Sequence, residues 1–230
     1  GRRGSVILAG ALLCLAATAS WADLAPYTQD FEGLDQGNPG ALAGDGWLVF
    51  ANVFSPDGTV YYYGYGPFPA PNGGAGFSGI DIGQGGPAQG DQQLVTYSDY
   101  NNGDHANGFL IEANVFQEQI IGAADVGSTW LFEFDAKRGN IAPDTTAMAF
   151  KTLDPNAGYA LTRFFTVDTT DLPDTWDSFS LSIFIDPDLV GQILQIGFLN
   201  TTTFYTPSGV FYDNINFDLA PLNVNIDIKP

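Results

Sequence analysis

This sequence has one cysteine, Cys14, and one histidine, His105. A disulfide framework is therefore excluded, and a zinc centre built from several histidines is too. Cys14 lies in the leader-like N-terminal segment, so Cys–His catalysis is excluded once that segment is removed. A Ser–His–Asp arrangement would have His105 as its single possible base. Basic residues are also scarce, with 7 Lys and Arg against 26 Asp and Glu. That balance argues against nucleic acid and anionic lipid as partners. No stretch carries the apolar period of a long amphipathic helix, and 28 glycines and 14 prolines would interrupt most candidates.

The N-terminus reads as a leader. Arg2 and Arg3 precede an apolar run, Val6–Ala17, and Ser20-Trp21-Ala22 fits a small-x-small cleavage site, with Ala17-Thr18-Ala19 as an earlier alternative. The run is shorter than the roughly 20 residues a spanning helix needs, so no membrane insertion is expected. The first residue is Gly rather than Met, which suggests a sequence truncated at its start. Removing the first 22 of the 230 residues leaves 208 and no cysteine. Losing Arg2 and Arg3 lowers the basic count from 7 to 5 against 26 acids, a net charge of −21. The expected product is a secreted or cell-surface protein held by its core, by bound ions, or by both.

What remains is β-rich. Short runs of β-branched and aromatic residues alternate with Gly/Asn/Asp/Pro clusters, the pattern of an antiparallel β-sandwich. The expected fold is an all-β jelly roll of about 8–10 strands in one domain, residues 23–220. Ten strands are expected near 27–32, 47–54, 93–98, 108–117, 128–137, 146–153, 161–167, 177–185, 193–199 and 210–218. In two of them the faces are clear. Trp130, Phe132, Phe134 and Ala136 alternate with Leu131, Glu133, Asp135 and Lys137, and Phe179, Leu181, Ile183 and Ile185 alternate with serines and Phe184. Ile196 and Phe198 join this core, as do Trp47, Trp130 and Trp176. Gly64–Gly90 is Gly/Pro-dense and reads as a long loop. Residues 221–230 read as the start of a truncated C-terminal extension.

Of the acids, 22 are Asp and 4 are Glu. Turn chemistry accounts for many aspartates, and calcium binding, which uses carboxylate and carbonyl oxygens, is the sharper reading. The last strand, Ser208–Leu219, makes that question specific. Strict alternation puts Asp213 on one face with Phe211, Ile215 and Phe217, and a carboxylate in an apolar row needs a partner.

Asp30-Phe31-Glu32-Gly33 near the start, Gly90-Asp91-Gln92-Gln93-Leu94-Val95 in the middle, and Tyr212-Asp213-Asn214-Ile215 at the end together resemble carbohydrate-binding modules with a galactose-binding-like jelly roll. The resemblance implies a structural calcium shared by the first and last strands. Glu32 and Asp213 would supply carboxylates, Asp30 would add a third, and carbonyls of the 90–93 turn would complete the site. It also implies a polysaccharide or cell-surface glycan as partner, recognised on exposed aromatic rings.

The aromatic run Tyr61–Phe68 supplies such rings, with Tyr61, Tyr63 and Tyr65 as ligand contacts, because a phenol offers a flat apolar face and a hydroxyl. The polar loop Ser98–Gly108 adds Asp99 and Asn101 as binding candidates. Two other functions stay open. One is a structural or adhesive domain with the same fold. The other is a glycosidase or lyase using two carboxylates from Glu112, Glu118, Glu133 and Asp135.

Overall fold

The computed structural model describes residues 23–142, 150–203 and 206–221. The leader-like segment 1–22, the extension after 221 and the start of the strand expected near 146 lie outside the described residues.

Twelve strands are described: β1 (Tyr27–Gln29), β2 (Leu48–Phe54), β3 (Tyr61–Pro69), β4 (Ser78–Ile82), β5 (Gln92–Thr96), β6 (Leu110–Ile120), β7 (Thr129–Ile141), β8 (Phe150–Asp154), β9 (Ala160–Phe165), β10 (Asp177–Phe184), β11 (Ile193–Thr203) and β12 (Ser208–Leu219). A single turn of α-helix, Ala41–Gly44, precedes β2. The strands form two antiparallel sheets. The first runs β10-β7-β12-β5-β4 with β1 also on β12, and the second runs β3-β2-β6-β11-β8-β9. From β5 onward the chain passes from one sheet to the other at almost every connection, the hairpin β8–β9 excepted. This exchange makes the all-β sandwich a jelly roll.

The alternating residues of β7 meet the core as their spacing implies. Trp130, Phe132, Phe134 and Ala136 are buried, as are Ile183, Ile196 and Phe198, while Phe179 and Leu181 on edge strand β10 are partly buried against them. Trp47 is fully buried, whereas Trp176 departs from the expected core position. It is half-buried on the outer face of the first sheet, where its indole N–H donates to the Gln84 carbonyl at 3.0 Å and its ring lies 6.0 Å from the Lys137 ammonium.

The Gly64–Gly90 stretch is not one long loop, because it contains the second half of β3 and all of β4. The glycines of β3 let the strand lie against an aromatic ring. A side chain at Gly64 would come within 2.7 Å of the Phe50 ring, and one at Gly66, whose φ is +113°, within 2.8 Å of the Val49 carbonyl. The first strand is shorter than expected because Phe31 turns out of it at φ 60° and buries its ring completely.

The last strand corrects a second expectation. Its alternation breaks at a bulge between Asp213 and Asn216, where Asn214 takes φ 49°. Val210 and Tyr212 face the core before the bulge, and Ile215 and Phe217 face it after. Phe211 and Asp213 are therefore not in a row with Ile215 and Phe217; they lie on the sheet's outer side. The same bulge falls between two neighbours on one edge of β12. β5 pairs with Val210–Tyr212, and β1 pairs with Ile215–Phe217. The two strands meet end to end beside Asp213.

Candidate functional site

Three polar regions follow from this architecture. The first is a groove of about 690 Å³ across the outer face of the second sheet. Its position comes from pleating. In β2, Val49, Ala51 and Val53 are buried, which turns Phe50, Asn52 and Phe54 outward; in β6, Ile111, Ala113 and Val115 are buried, which turns Glu112 and Asn114 outward. Gln195 of β11 continues the same floor, with Glu118 farther along β6. One wall is Tyr61 with Gly66 and Pro67 of β3, and the other is Tyr159, Leu161 and Phe164 at the β8–β9 hairpin. Tyr61 and Tyr159 are 56% and 63% exposed, and Tyr159 is held at φ 62°. A bulky residue in the left-handed region is strained, and here the strain sets an aromatic ring at the groove edge.

The floor is knitted together by amides. The Asn52 and Asn114 side-chain nitrogens donate to Glu112 Oε1 at 3.1 and 3.2 Å, Asn114 also donates to the Phe50 carbonyl at 3.1 Å, and Gln195 donates to Glu118 Oε2 at 2.9 Å. The result is a trough with apolar walls and a hydrogen-bonding floor.

The three tyrosines expected to act together separate across β3. Tyr61 pairs with Phe54 on the groove face, but a bulge follows, and Tyr63 and Tyr65 pair with Val53 and Ala51 on the opposite face. There they meet the Ser98–Gly108 loop. The Tyr63 hydroxyl donates to Asp104 at 2.6 Å, the Tyr65 hydroxyl donates to Asp99 at 2.7 Å, and the Asn102 amide reaches the Tyr65 oxygen at 3.0 Å. Burial, followed by the neighbouring Asp99, raises the Tyr65 phenol well above its usual range. Asp99 is buried, and its second oxygen accepts the Asn101 backbone N–H at 3.2 Å, so Asn101 closes the turn through its backbone. This cluster fastens an edge strand to a loop and does not line the groove.

In the same loop, His105 is fully buried, with Nε2 3.1 Å from the buried Ser98 hydroxyl. Burial holds the imidazole below its usual value. A serine and histidine with no access to solvent cannot meet a substrate, so this pair is structural.

The third region is the outer side of the first sheet around Asp213. Asp213 pairs with Asp135 of β7, and Asp135 pairs in turn with Ser178 of β10; on the other side, Gln93 is the next residue of β5 beyond the Tyr212–Leu94 pair. Asp135 is fully engaged, accepting from Ser178, Asn214 and Gln89 at 2.6–2.8 Å. Asp213 is completely buried, its Oδ1 accepts the Asn214 N–H at 2.6 Å, and its Oδ2 has no partner. Gln93 Oε1 and Gln89 Oε1 are likewise buried without partners. Burial first, then the charges of Asp135, Asp30 and Glu32, pushes the Asp213 carboxyl up to about 7.

Glu32, Asp30 and Asp213 are thus brought to one neighbourhood, but their side chains do not close as a set. Glu32 Oε1 instead accepts the backbone N–H groups of Asp91 and Gln92 at 2.8 and 2.7 Å. Among the described residues no three Asp, Glu, His or Cys side chains converge to hold a metal ion. The donor chemistry that does fit a hard cation is mixed: one carboxylate, Asp213, beside the neutral oxygens of Gln93 and Gln89.

Sequence reasoning missed most of the groove floor. Its signal was present in β2 and β6, where Asn52, Glu112 and Asn114 alternate with Val, Ile and Ala at the pleat period. Tyr159 gave no such signal, because its orientation depends on the hairpin.

No protein-family model matches the sequence, and no curated protein is significantly similar to it. Solved structures similar in fold include the enzymatically active domain of tailspike protein 4 of bacteriophage CBA120, with 14% identity and a TM-score of 0.45 over 81% of this chain. The chain spans only 21% of that tailspike chain. A cyclase from Fischerella sp. TAU is similar over 82% of this chain and 88% of its own, at 14% identity and TM-score 0.42. The C-terminal family 22 carbohydrate-binding module of Clostridium thermocellum Xyn10B is similar over 84% and 93%, at 14% identity and TM-score 0.43. These proteins differ in what they do, so the likeness is one of fold.

Proposed function

We propose that this chain is a secreted module that binds a polysaccharide along the groove of the second sheet, without a catalytic step of its own. The observation that carries the reading is the pairing of surfaces in the groove. Exposed aromatic rings on two walls match the apolar faces of sugar rings, and amides and carboxylates between them match hydroxyls. An open trough also admits a chain without requiring its end.

The placement of the acids supports a binding role. Glu112 and Glu118 are six residues apart on one strand, about 20 Å at the rise of a β-strand. Glycosidases need two carboxylates roughly 5–10 Å apart. Glu133 and Asp135 lie on the other sheet, away from the groove.

Calcium completes the proposal as a structural ion. Asp213 Oδ2, with Gln93 and Gln89 contributing neutral oxygens, would hold it where β1 and β5 meet against β12, and Glu32 and Asp30 would add negative charge nearby. Bound there, the ion supplies the positive charge that a buried carboxylate otherwise lacks.

Affinity electrophoresis and calorimetry of residues 23–221 against a panel of soluble polysaccharides test the binding role. Micromolar to millimolar binding that Tyr61→Ala and Tyr159→Ala both weaken is the expected result. Binding to a glycan that neither substitution affects would move the site elsewhere, and no binding across the panel would reject the reading.

A further inference from the structure

One loop of the first sheet lies over the region around Asp213 and bears on how an ion would reach it, an inference that rests on the calcium reading above. β4 ends at Ile82 and β5 begins at Gln92, so Gly83–Asp91 is a hairpin loop. A loop of this kind ordinarily runs on past its strands into solvent. This one folds back across the outer side of the sheet as far as β7. The Ala88 carbonyl accepts the Asn214 amide of β12 at 3.1 Å, and the Gln89 amide donates to Asp135 of β7 at 2.8 Å. Nearer the loop's start, the Gln84 carbonyl accepts the Lys137 ammonium and the Trp176 indole N–H, each at 3.0 Å. Gly86 lies flush on that indole, since a side chain there would come within 2.8 Å of the ring.

Asp213 is on the outer side of the sheet and yet completely buried, with the loop crossing beside it at Asn214 and Asp135. The unpartnered buried oxygens are Asp213 Oδ2, Gln93 Oε1 and Gln89 Oε1, and Gln89 belongs to the loop itself. The cover is lightly built. Gly83, Gly85, Pro87, Ala88 and Gly90 are exposed, so hydrogen bonds rather than apolar burial hold it down. Gly83 and Gly90, near its two ends, have φ of 78° and 55°, where glycine turns without a steric penalty.

We infer that Gly83–Asp91 is a gate: a calcium ion enters and leaves the Asp213 site only while this loop is lifted. The anchor at Gln84 uses none of the oxygens assigned to the ion. It therefore weighs equally on the loaded and the empty protein. Loosening it speeds entry and release together and leaves the binding equilibrium nearly unchanged.

Calorimetry of the protein with calcium gives Kd, and stopped-flow mixing of the loaded protein with a chromophoric chelator gives the release rate. Release rate divided by Kd is the entry rate constant. In the wild type it should lie at least a hundredfold below the diffusional ceiling of about 10⁸–10⁹ M⁻¹s⁻¹. Trp176→Ala should raise the release rate about tenfold or more while Kd changes less than about threefold. Trp176→Phe, which keeps a ring and loses the indole N–H, should fall between wild type and Trp176→Ala. Tyr63→Phe, which loosens the loop on the other sheet, should leave release within about twofold of wild type.

Wild-type entry at the diffusional ceiling would overturn the gate and leave the calcium reading intact, whether or not any variant folds. Release that Trp176→Ala leaves unchanged, or speeds only in step with a weaker Kd, would overturn the gate too, as would equal acceleration by Tyr63→Phe. No calcium binding by calorimetry would overturn the calcium reading and the gate with it.

Discussion

Phe198 and Tyr212 stack across the sandwich with ring centroids 3.5 Å apart and planes 12° from parallel. Phe198 belongs to β11 of the second sheet and Tyr212 to β12 of the first, so this contact joins the two sheets. Trp47, Phe132 and Phe134 surround Phe198, and the Tyr212 hydroxyl lies 3.0 Å from the Thr169 hydroxyl. Phe198→Ala should therefore cost about 3–5 kcal/mol of stability. Tyr212→Phe keeps the ring and loses one hydrogen bond, so about 1 kcal/mol is expected. Denaturant titration checks both, and equal costs would show that the stacking is not the main tie.

Tyr61 and Tyr63 lie two residues apart but on opposite faces of β3. Tyr61→Ala should weaken glycan binding about tenfold, or 1.4 kcal/mol, with little change in melting temperature. Tyr63→Phe should leave binding unchanged, because its hydroxyl serves the Asp104 contact and not the groove. Parallel calorimetry and thermal melts separate the two. Loss of binding in Tyr63→Phe would mean that the loop side also meets ligand.

Chelation tests the ion. With calcium at a hundredfold excess over Kd, binding to the folded state alone adds about 2.7 kcal/mol. EDTA should lower the melting temperature of the wild type, and Asp213→Asn should remove most of that difference. A wild type insensitive to chelator would leave Asp213 held by hydrogen bonding alone.

His105 gives a pH dependence with a definite sign. Its folded value lies below its unfolded one of about 6.5 because the ring is buried. The unfolded state then binds the proton more readily, so this contribution is complete above pH 6.5 and is lost as pH falls through the depressed folded value. In calcium-free protein Asp213 acts in the opposite direction, since a carboxyl raised to about 7 favours folding at low pH and loses that contribution as pH rises through 7. The melting-temperature difference between wild type and His105→Gln isolates the histidine and should shrink from pH 7.5 to pH 5. A difference that stays constant would mean His105 does not titrate in this range.

The sequence alone was enough for the fold class and much of the core. A pleated strand with one buried face must alternate, and β7 and β10 do so without interruption, from Trp130 to Ala136 and from Phe179 to Ile183. It also singled out Asp213, but on an alternation that the β12 bulge breaks, so the carboxylate is buried on the sheet's outer side and not in an apolar row. The faces of β3 and β12 were decided only in three dimensions. Each contains a bulge, and one extra residue reverses every side chain beyond it, so Tyr61 parts from Tyr63 and Phe211 from Ile215. The groove was decided there too. Its walls come from β3 and from the β8–β9 hairpin, about a hundred residues apart in the chain, and they face one trough only because β2, β6 and β11 pair between them. Hydrogen-bonded pairing places those segments, and no local property of either wall encodes it.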